Sequence, residues 1–240
     1  MNKINYGSRA RLGVLLPSGN QAAEPQFNAM LPAGVALHTT RLKLRGSSDK
    51  ELLAMADGVE DAARLVADTD PNLVLFHCTA VSTYSEELEQ SIKSRIAKST
   101  GRPATATSEA IVAALRALGA KRLVMLSPYN EVTNAREGKY FEGAGFEILD
   151  CAGLSCPDAP AMMAVTPEKW RSYAIEHRNA RADAYLLSCT TVRSSEVAEE
   201  LEASLGRPVV TSNTAAVWHC LRTMGIADRV TGYGKLLAQH

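Results

Sequence analysis

The sequence predicts an α/β fold made of two doubly wound lobes with parallel sheets. The lobes are related by a pseudo-twofold axis, and the active site lies in the cleft between them. Three observations carry this reading. Apolar runs of strand length alternate with helical patterns along the chain, which argues for parallel sheets covered on both faces. The chain also repeats itself: Pro17 and Pro128, Val35 and Phe146, and Cys78 and Cys189 are each 111 residues apart, and Gly-Arg-Pro at 101–103 returns at 206–208. Finally, LVLFHCTAVS at 73–82 and AYLLSCTTVRS at 184–194 end their apolar runs in the same Cys-Thr step. Ligands of open α/β sheets bind beyond the carboxyl ends of the strands, so the repeat is expected to bring both cysteines to one cleft. The expected lobes are residues 1–107 and 108–240, with the helix at 213–224 packing back on the first.

In order, residues 12–16 read as a buried strand stopped by Pro-Ser-Gly-Asn at 17–20. A short helix around Phe27 and Met30 precedes a strand at 35–44. Ser48 and Glu51 form a capping box for one helix carrying Leu52, Met55, Val59, Ala63 and Val66 on one face. Residues 72–76 form the strand that ends at Cys78, and Leu88, Ile92 and Ile96 mark the helix after it. After a strand at 104–107, Ser108 is expected to cap a helix through Ile111, Leu115 and Leu118. The series then restarts with strands at 123–126 and 146–149. Thr166-Pro167-Glu168 opens a helix, with proline where a missing amide costs nothing. A strand at 184–187 ends at Cys189, a helix carries Val197, Leu201 and Leu205, and a strand spans 209–211. Ser212 or Asn213 is expected to cap the last long helix, and Thr231-Gly232-Tyr233-Gly234 closes the chain in turns.

Hydrophobic residues make up 46% of the 240, ample for a core, and 26 basic residues balance 26 acidic ones. That balance argues against a nucleic-acid or anionic-membrane partner, which would favour a basic face. The N-terminal stretch has no secretory pattern, and no apolar run approaches the ~20 residues of a membrane span. Five cysteines without a CxxC step fit a reducing cytoplasm better than a disulfide framework. No nucleotide-binding, flavin or metal motif is present, so no cofactor is expected. Cys151 and Cys156, with His177 or His219, do not match a zinc spacing.

The chemistry points to the two Cys-Thr steps. A thiol at a strand end and a helix start faces unpaired amides and the positive end of the helix dipole, and both favour thiolate. Alone, each cysteine reads as an inert buried residue; the matched context makes Cys78 and Cys189 the expected catalytic pair. Two such thiols flanking a small substrate can act as nucleophile and as acid or base. Thr79 and Thr190 could cradle a carboxylate or oxyanion through amides and hydroxyls, or simply cap. Asn20 and Tyr129 close equivalent first-strand turns and could donate to a substrate carboxylate. Ser18, Ala80 and Thr191 complete the expected binding residues. His77 points away from Cys78 on an extended strand and reads as packed.

Together PSGN at 17–20, HCTAVSTY at 77–84, SPY at 127–129, LSCTT at 187–191 and the YGKL tail resemble the aspartate/glutamate racemase superfamily. More closely, they resemble its branch holding maleate cis-trans isomerase and arylmalonate decarboxylase. That resemblance implies cofactor-free chemistry next to a carboxylate in a homo-oligomer, dimer or tetramer. The residue matching Cys78 would attack the double bond to give a succinyl-cysteine adduct, and that matching Cys189 would act as acid and base. Asn20 and Tyr129 match carboxylate-binding positions. Arylmalonate decarboxylases have glycine in place of Cys78, so two thiols favour an isomerase or racemase over a decarboxylase; glutamate- and hydantoin-type racemases often have CNT after the first cysteine and a histidine near the second, which CTA and CTTVRS fit less well. One departure stands out: 156–164 (CPDAPAMMA) lacks the further asparagine of maleate isomerases, and Asp158 would repel a dianion. The expected substrate is a small carboxylic or dicarboxylic acid. The non-enzyme alternative is a small-acid binding protein.

Overall fold

The computed structural model describes residues 4–44, 46 and 48–240. In the first half, β1 (Ala10–Pro17) leads through α1 (Ala23–Met30) to β2 (Val35–Leu42). Next come α2 (Asp49–Asp57), α3 (Val59–Ala67), β3 (Leu73–Phe76), α4 (Thr79–Ser82), α5 (Glu86–Thr100), β4 (Ala104–Ala106) and α6 (Thr107–Ala117). The second half runs β5 (Arg122–Ser127), α7 (Glu131–Gly143), β6 (Glu147–Gly153), α8 (Ala159–Ala164) and α9 (Pro167–Glu176). It continues through β7 (Ala184–Leu187), a 3-10 turn at Ser195–Val197, α10 (Ala198–Leu205), β8 (Val209–Thr211), α11 (Ser212–Thr223) and α12 (Lys235–Gln239).

Two four-stranded parallel sheets result, in the orders β2-β1-β3-β4 and β6-β5-β7-β8. The order is the same in both, so each cysteine follows the equivalent strand, β3 or β7. The Gly-Arg-Pro triplets do equivalent work. Gly101 and Gly206 end α5 and α10 in the left-handed region, at φ 66° and 68°, where glycine avoids the Cβ penalty.

Strand alternation decides which face each cysteine joins. On β3, Leu73 and Leu75 enter one core, while Val74 and Phe76 enter the other together with Cys78. On β7, Ala184 and Leu186 enter the first, while Tyr185 and Leu187 enter the second together with Cys189. The period of two along each strand thus sends both thiols to one side. Each core draws on both halves of the chain. α11 packs against α1 and α6, and apolar side chains such as Ile111, Leu115, Val217 and Leu221 fill that seam.

Several elements differ from expectation, each for a local reason. The helix expected after Ser48 is two, α2 and α3, meeting at Gly58 (φ −89°, ψ 9°); the Ser48/Glu51 capping box is present. The helix after Cys78 is also two, a single turn and then α5, which Ser85 caps anew by accepting from the Leu88 amide. Ser108 lies inside α6, whose cap residue is Ala106. Thr211, not Ser212 or Asn213, caps α11, exchanging bonds with Thr214. Three helices had no reading in the sequence: α7, capped by Asn130; α8, capped by Asp158; and the terminal α12.

The core's demand for volume gives a direct test. Leu186 is fully buried mid-sheet, whereas Leu65 is 65% exposed on α3. Leu186→Ala is expected to lower the unfolding free energy by about 2–5 kcal/mol in urea titrations, and Leu65→Ala by no more than about 0.5 kcal/mol.

Candidate active site

Beyond the carboxyl ends of β3 and β7 lies a small cavity into which Cys78 and Cys189 both open. Asn20, Ala80, Tyr129, Thr190 and Thr191 line it as well. Its other wall is apolar, from Leu44, Leu52 and Met162, with Asp158 beside them. A wider groove between α5, α6 and α7 carries Lys93, Glu109 and Tyr140 but no cysteine. Lys93 there is already paired with Glu89 at 2.9 Å and Glu109 at 3.0 Å. The two thiols meet in the smaller cavity.

Each thiol is held differently. Cys78 is the cap residue of α4, extended at φ −149° and ψ 110°. The amides of Val81 and Ala80 turn toward its sulfur and favour thiolate. Cys189 is followed by turns rather than a helix, so the helix-dipole argument made from the sequence holds only for Cys78. Its backbone sits at φ 129°, a conformation that costs a non-glycine residue about 1–3 kcal/mol. Two bonds over-determine it: the Cys189 amide donates to Ser212 Oγ at 3.0 Å, and the Thr191 amide donates to Cys189 Sγ at 3.3 Å.

Burial overrides these donors, contrary to the thiolate expected from sequence. Desolvation pushes Cys78 up to about 12, against the amides of Val81 and Ala80. It pushes Cys189 up to about 11, against donors from Tyr129 and Thr191. Burial thus favours the protonated form of both thiols at neutral pH. Tyr129 is buried too, and its hydroxyl is held well above its ordinary range.

Tyr129 is placed by its own turn. Its amide donates to Ser127 Oγ at 2.9 Å, and that hydroxyl donates to Asn134 Oδ1 at 2.5 Å. Gly153 is required alongside: a Cβ there would lie 2.2 Å from the Tyr129 carbonyl oxygen and 2.1 Å from Asn134 Nδ2. Asn20 is almost fully buried and ties the halves together. Its Oδ1 accepts from the Ala22 and Ala23 amides, and its Nδ2 donates to Thr190 O at 3.1 Å and Oγ1 at 3.0 Å. Two expected residues stand outside the lining. Ser18 is exposed, bonding the backbone of Leu44. The Thr79 hydroxyl donates to Ser212 Oγ at 2.9 Å.

The first turn of α11 has no site role in the sequence reading, because Ser212 and Asn213 read there as capping residues. Ser212 Oγ receives both Thr79 and Cys189, joining the two thiol segments. Asn213 Oδ1 accepts from His77 Nε2 at 2.8 Å, while its Nδ2 donates to Gln26 Oε1 at 2.6 Å and Thr190 O at 3.3 Å. The Thr107 hydroxyl lies 3.0 Å from His77 Nδ1. His77 is thus packed away from the cavity, as its place on the strand implied. Of the remaining cysteines, Cys220 is buried, Cys151 is exposed and Cys156 is half-buried; all five are free. Among the described residues, no group of three or more His, Cys, Asp or Glu is placed to hold a metal ion. No described helix is long and apolar enough to cross a membrane.

Two parallel sheets that close two thiols into one chamber define an α/β enzyme. The chain belongs to the arylmalonate decarboxylase family, whose model matches residues 12–237. It is 29% identical over 240 residues to the maleate isomerase of Nocardia farcinica, covering 95% of this chain and 96% of that one. It is 27% identical over 237 residues to the arylmalonate decarboxylase of Bordetella bronchiseptica, covering 97% and 98%. Among solved structures it superposes on a Nocardia farcinica maleate cis-trans isomerase variant with a covalently bound succinylcysteine intermediate. The TM-score is 0.90 at 25% identity, over 96% of this chain and 99% of that one.

Burial of His77 carries a signed prediction. Desolvation lowers its pKa from 6.5 to about 4, the bond to Asn213 partly opposing. The unfolded chain then binds a proton that the folded one refuses, so stability present above pH 6.5 is lost as pH falls toward 4. Urea titrations at pH 7.5 and 4.5 should show a loss on the order of 3 kcal/mol more in the parent protein than in His77→Gln.

Proposed function

We propose that this protein is a cofactor-independent cis-trans isomerase of the maleate type, with Cys78 as nucleophile and Cys189 as acid and base. The observation that carries this reading is that both thiols, from equivalent strand ends, open into one small cavity. The succinylcysteine carried by the related isomerase supports the same chemistry here.

The steps balance with the residues present. Cys78 sulfur bonds to one alkene carbon, and the π electrons move toward the other, next to a carboxylate that delocalises them. Cys189 delivers its proton to that second carbon and recovers the one Cys78 gives up. Rotation about the new single bond follows. In reversal Cys189 hands its proton back to the Cys78 sulfur as the C–S bond breaks and takes the proton from carbon, which restores both thiols and the double bond and releases the trans acid. The Val81, Ala80, Thr191 and Tyr129 donors favour the developing thiolates. Ala80, Thr190, Thr191, Tyr129 and Asn20 are the proposed binding residues. Asn20 acts chiefly by fixing Thr190, because its amide donors are committed there. Ser18 and Thr79 contribute from behind the lining, through Leu44 and Ser212.

A second reading is favoured by the apolar wall of Leu44, Leu52 and Met162 and by Asp158, which offers no donor to a second carboxylate. It is a racemase acting on an acid with one carboxylate and an apolar arm, or a decarboxylase whose substrate loses one carboxylate as carbon dioxide and keeps a second to stabilise the carbanion. The proposal includes a cytoplasmic, homo-oligomeric protein with lobes at 1–107 and 108–240; the matching sheet orders support that division.

Proton NMR of maleate with the protein in deuterated water separates these readings. Fumarate formation is expected. Deuterium uptake next to a carboxylate without fumarate would favour the second. Cys78→Ala should abolish fumarate formation, and Cys189→Ala should slow it by about 10²–10⁴-fold. A ligand response that survives both substitutions, with no turnover in the parent, would mark a binding protein instead.

A further inference from the structure

Behind Cys189 lies a titratable group that the proposed mechanism does not use. Glu137, on α7, is 1% exposed. Its Oε1 accepts from the hydroxyl of Ser188, the residue immediately before Cys189. Its Oε2 is buried with no hydrogen-bond partner. Among the described residues the neighbouring cation is Arg136, whose Nη1 pairs with Asp49 at 2.5 Å, whose guanidinium stacks over the Tyr84 ring at 4.4 Å, and whose Nη2 is buried without a hydrogen-bond partner. A buried carboxylate with one neutral donor and no direct ion pair among the described residues is costly, which favours the protonated form.

We propose that Glu137 is a positioning residue of the thiol chamber, one whose buried carboxyl must stay uncharged for Cys78 and Cys189 to ionise, so that its deprotonation turns the site down. This inference rests on the two-thiol reading of the cavity. The groups facing Glu137 are Arg136 on its own helix, Cys151 on β6, Tyr129 at the β5 end, and Cys78 and Cys189. A negative charge on Glu137 raises both thiols and Tyr129. Burial lifts Glu137 itself from 4.5 to about 7, while the Ser188 bond and Arg136 pull it down. The two forms of the carboxyl therefore interchange near neutrality. Ser188, next to Cys189 in the chain, ties the carboxyl to the thiol-bearing segment: its hydroxyl binds Glu137 and its amide donates to Leu126 O at 2.8 Å.

Alkylation by iodoacetamide, followed for the Cys78 and Cys189 peptides by mass spectrometry from pH 6 to 9.5, reads the thiolates without any substrate. It therefore stands whether or not maleate is turned over. In the parent protein the pH dependence should flatten near pH 7. In Glu137→Gln it should rise without that break and run roughly three- to tenfold faster above pH 8, the effect of moving a pKa by about half to one unit. Ser188→Ala removes a bond that favours the ionised carboxyl, so its break should move to higher pH. Parent and Glu137→Gln profiles that superimpose would overturn the proposal, as would a Ser188→Ala break that stays in place or moves down. If maleate is isomerised, the alkaline fall in kcat should vanish in Glu137→Gln; an identical fall in both proteins would contradict it.

Discussion

The hydroxyl of Ser212 accepts two hydrogen bonds, one from the Thr79 hydroxyl and one from the Cys189 amide. That oxygen is where the two halves of the site are set against each other. Thr79 follows Cys78 directly, so one atom on α11 fixes both thiol segments. Asn213 extends the junction to His77, Gln26 and the Thr190 carbonyl, and Asn20 reaches Thr190 from the other side. All of these polar groups are buried. Such a network is stable only when every member is satisfied, so it specifies one relative placement of the two strand ends. The repeat supplies two similar thiol-bearing loops; the first turn of α11 makes them one site.

Within the chamber, burial and local donors pull in opposite directions. Burial favours the protonated thiols, while amides and the Tyr129 hydroxyl favour negative charge on them. The chamber holds the donors in place beforehand rather than gathering them during reaction. The positive φ of Cys189 fits this economy, since the strained backbone is held by bonds to Ser212 and Thr191.

Much of this was legible in the sequence, for identifiable reasons. Strands such as 184–187 and 209–211 coincide with the observed β7 and β8, because short apolar runs bounded by turn residues leave little choice. The constant spacing of Pro17/Pro128 and Cys78/Cys189 pointed to equivalent strand ends, and the sheets share one order. Helix α7 was invisible because its exposed face is polar and its few apolar residues make no stripe. Glu137 was hidden with it, since a glutamate on a polar helix reads as solvated surface. Gly58 gave no warning that α2 and α3 would part, a lone glycine being tolerated inside many helices. The protonation of the thiols was out of reach as well. Neighbours along the chain reveal the donors, but only tertiary packing reveals how dry the cavity is.

The account depends on two sulfur atoms acting on one bound acid. The most direct measurement is a crystal structure of Cys189→Ser soaked with maleate. The expected result is density running from Cys78 Sγ into a four-carbon adduct, with position 189 facing that adduct from the opposite wall. Density bonded instead to Cys151 or Cys156, or an acid bound where it touches neither wall of the chamber, would contradict it.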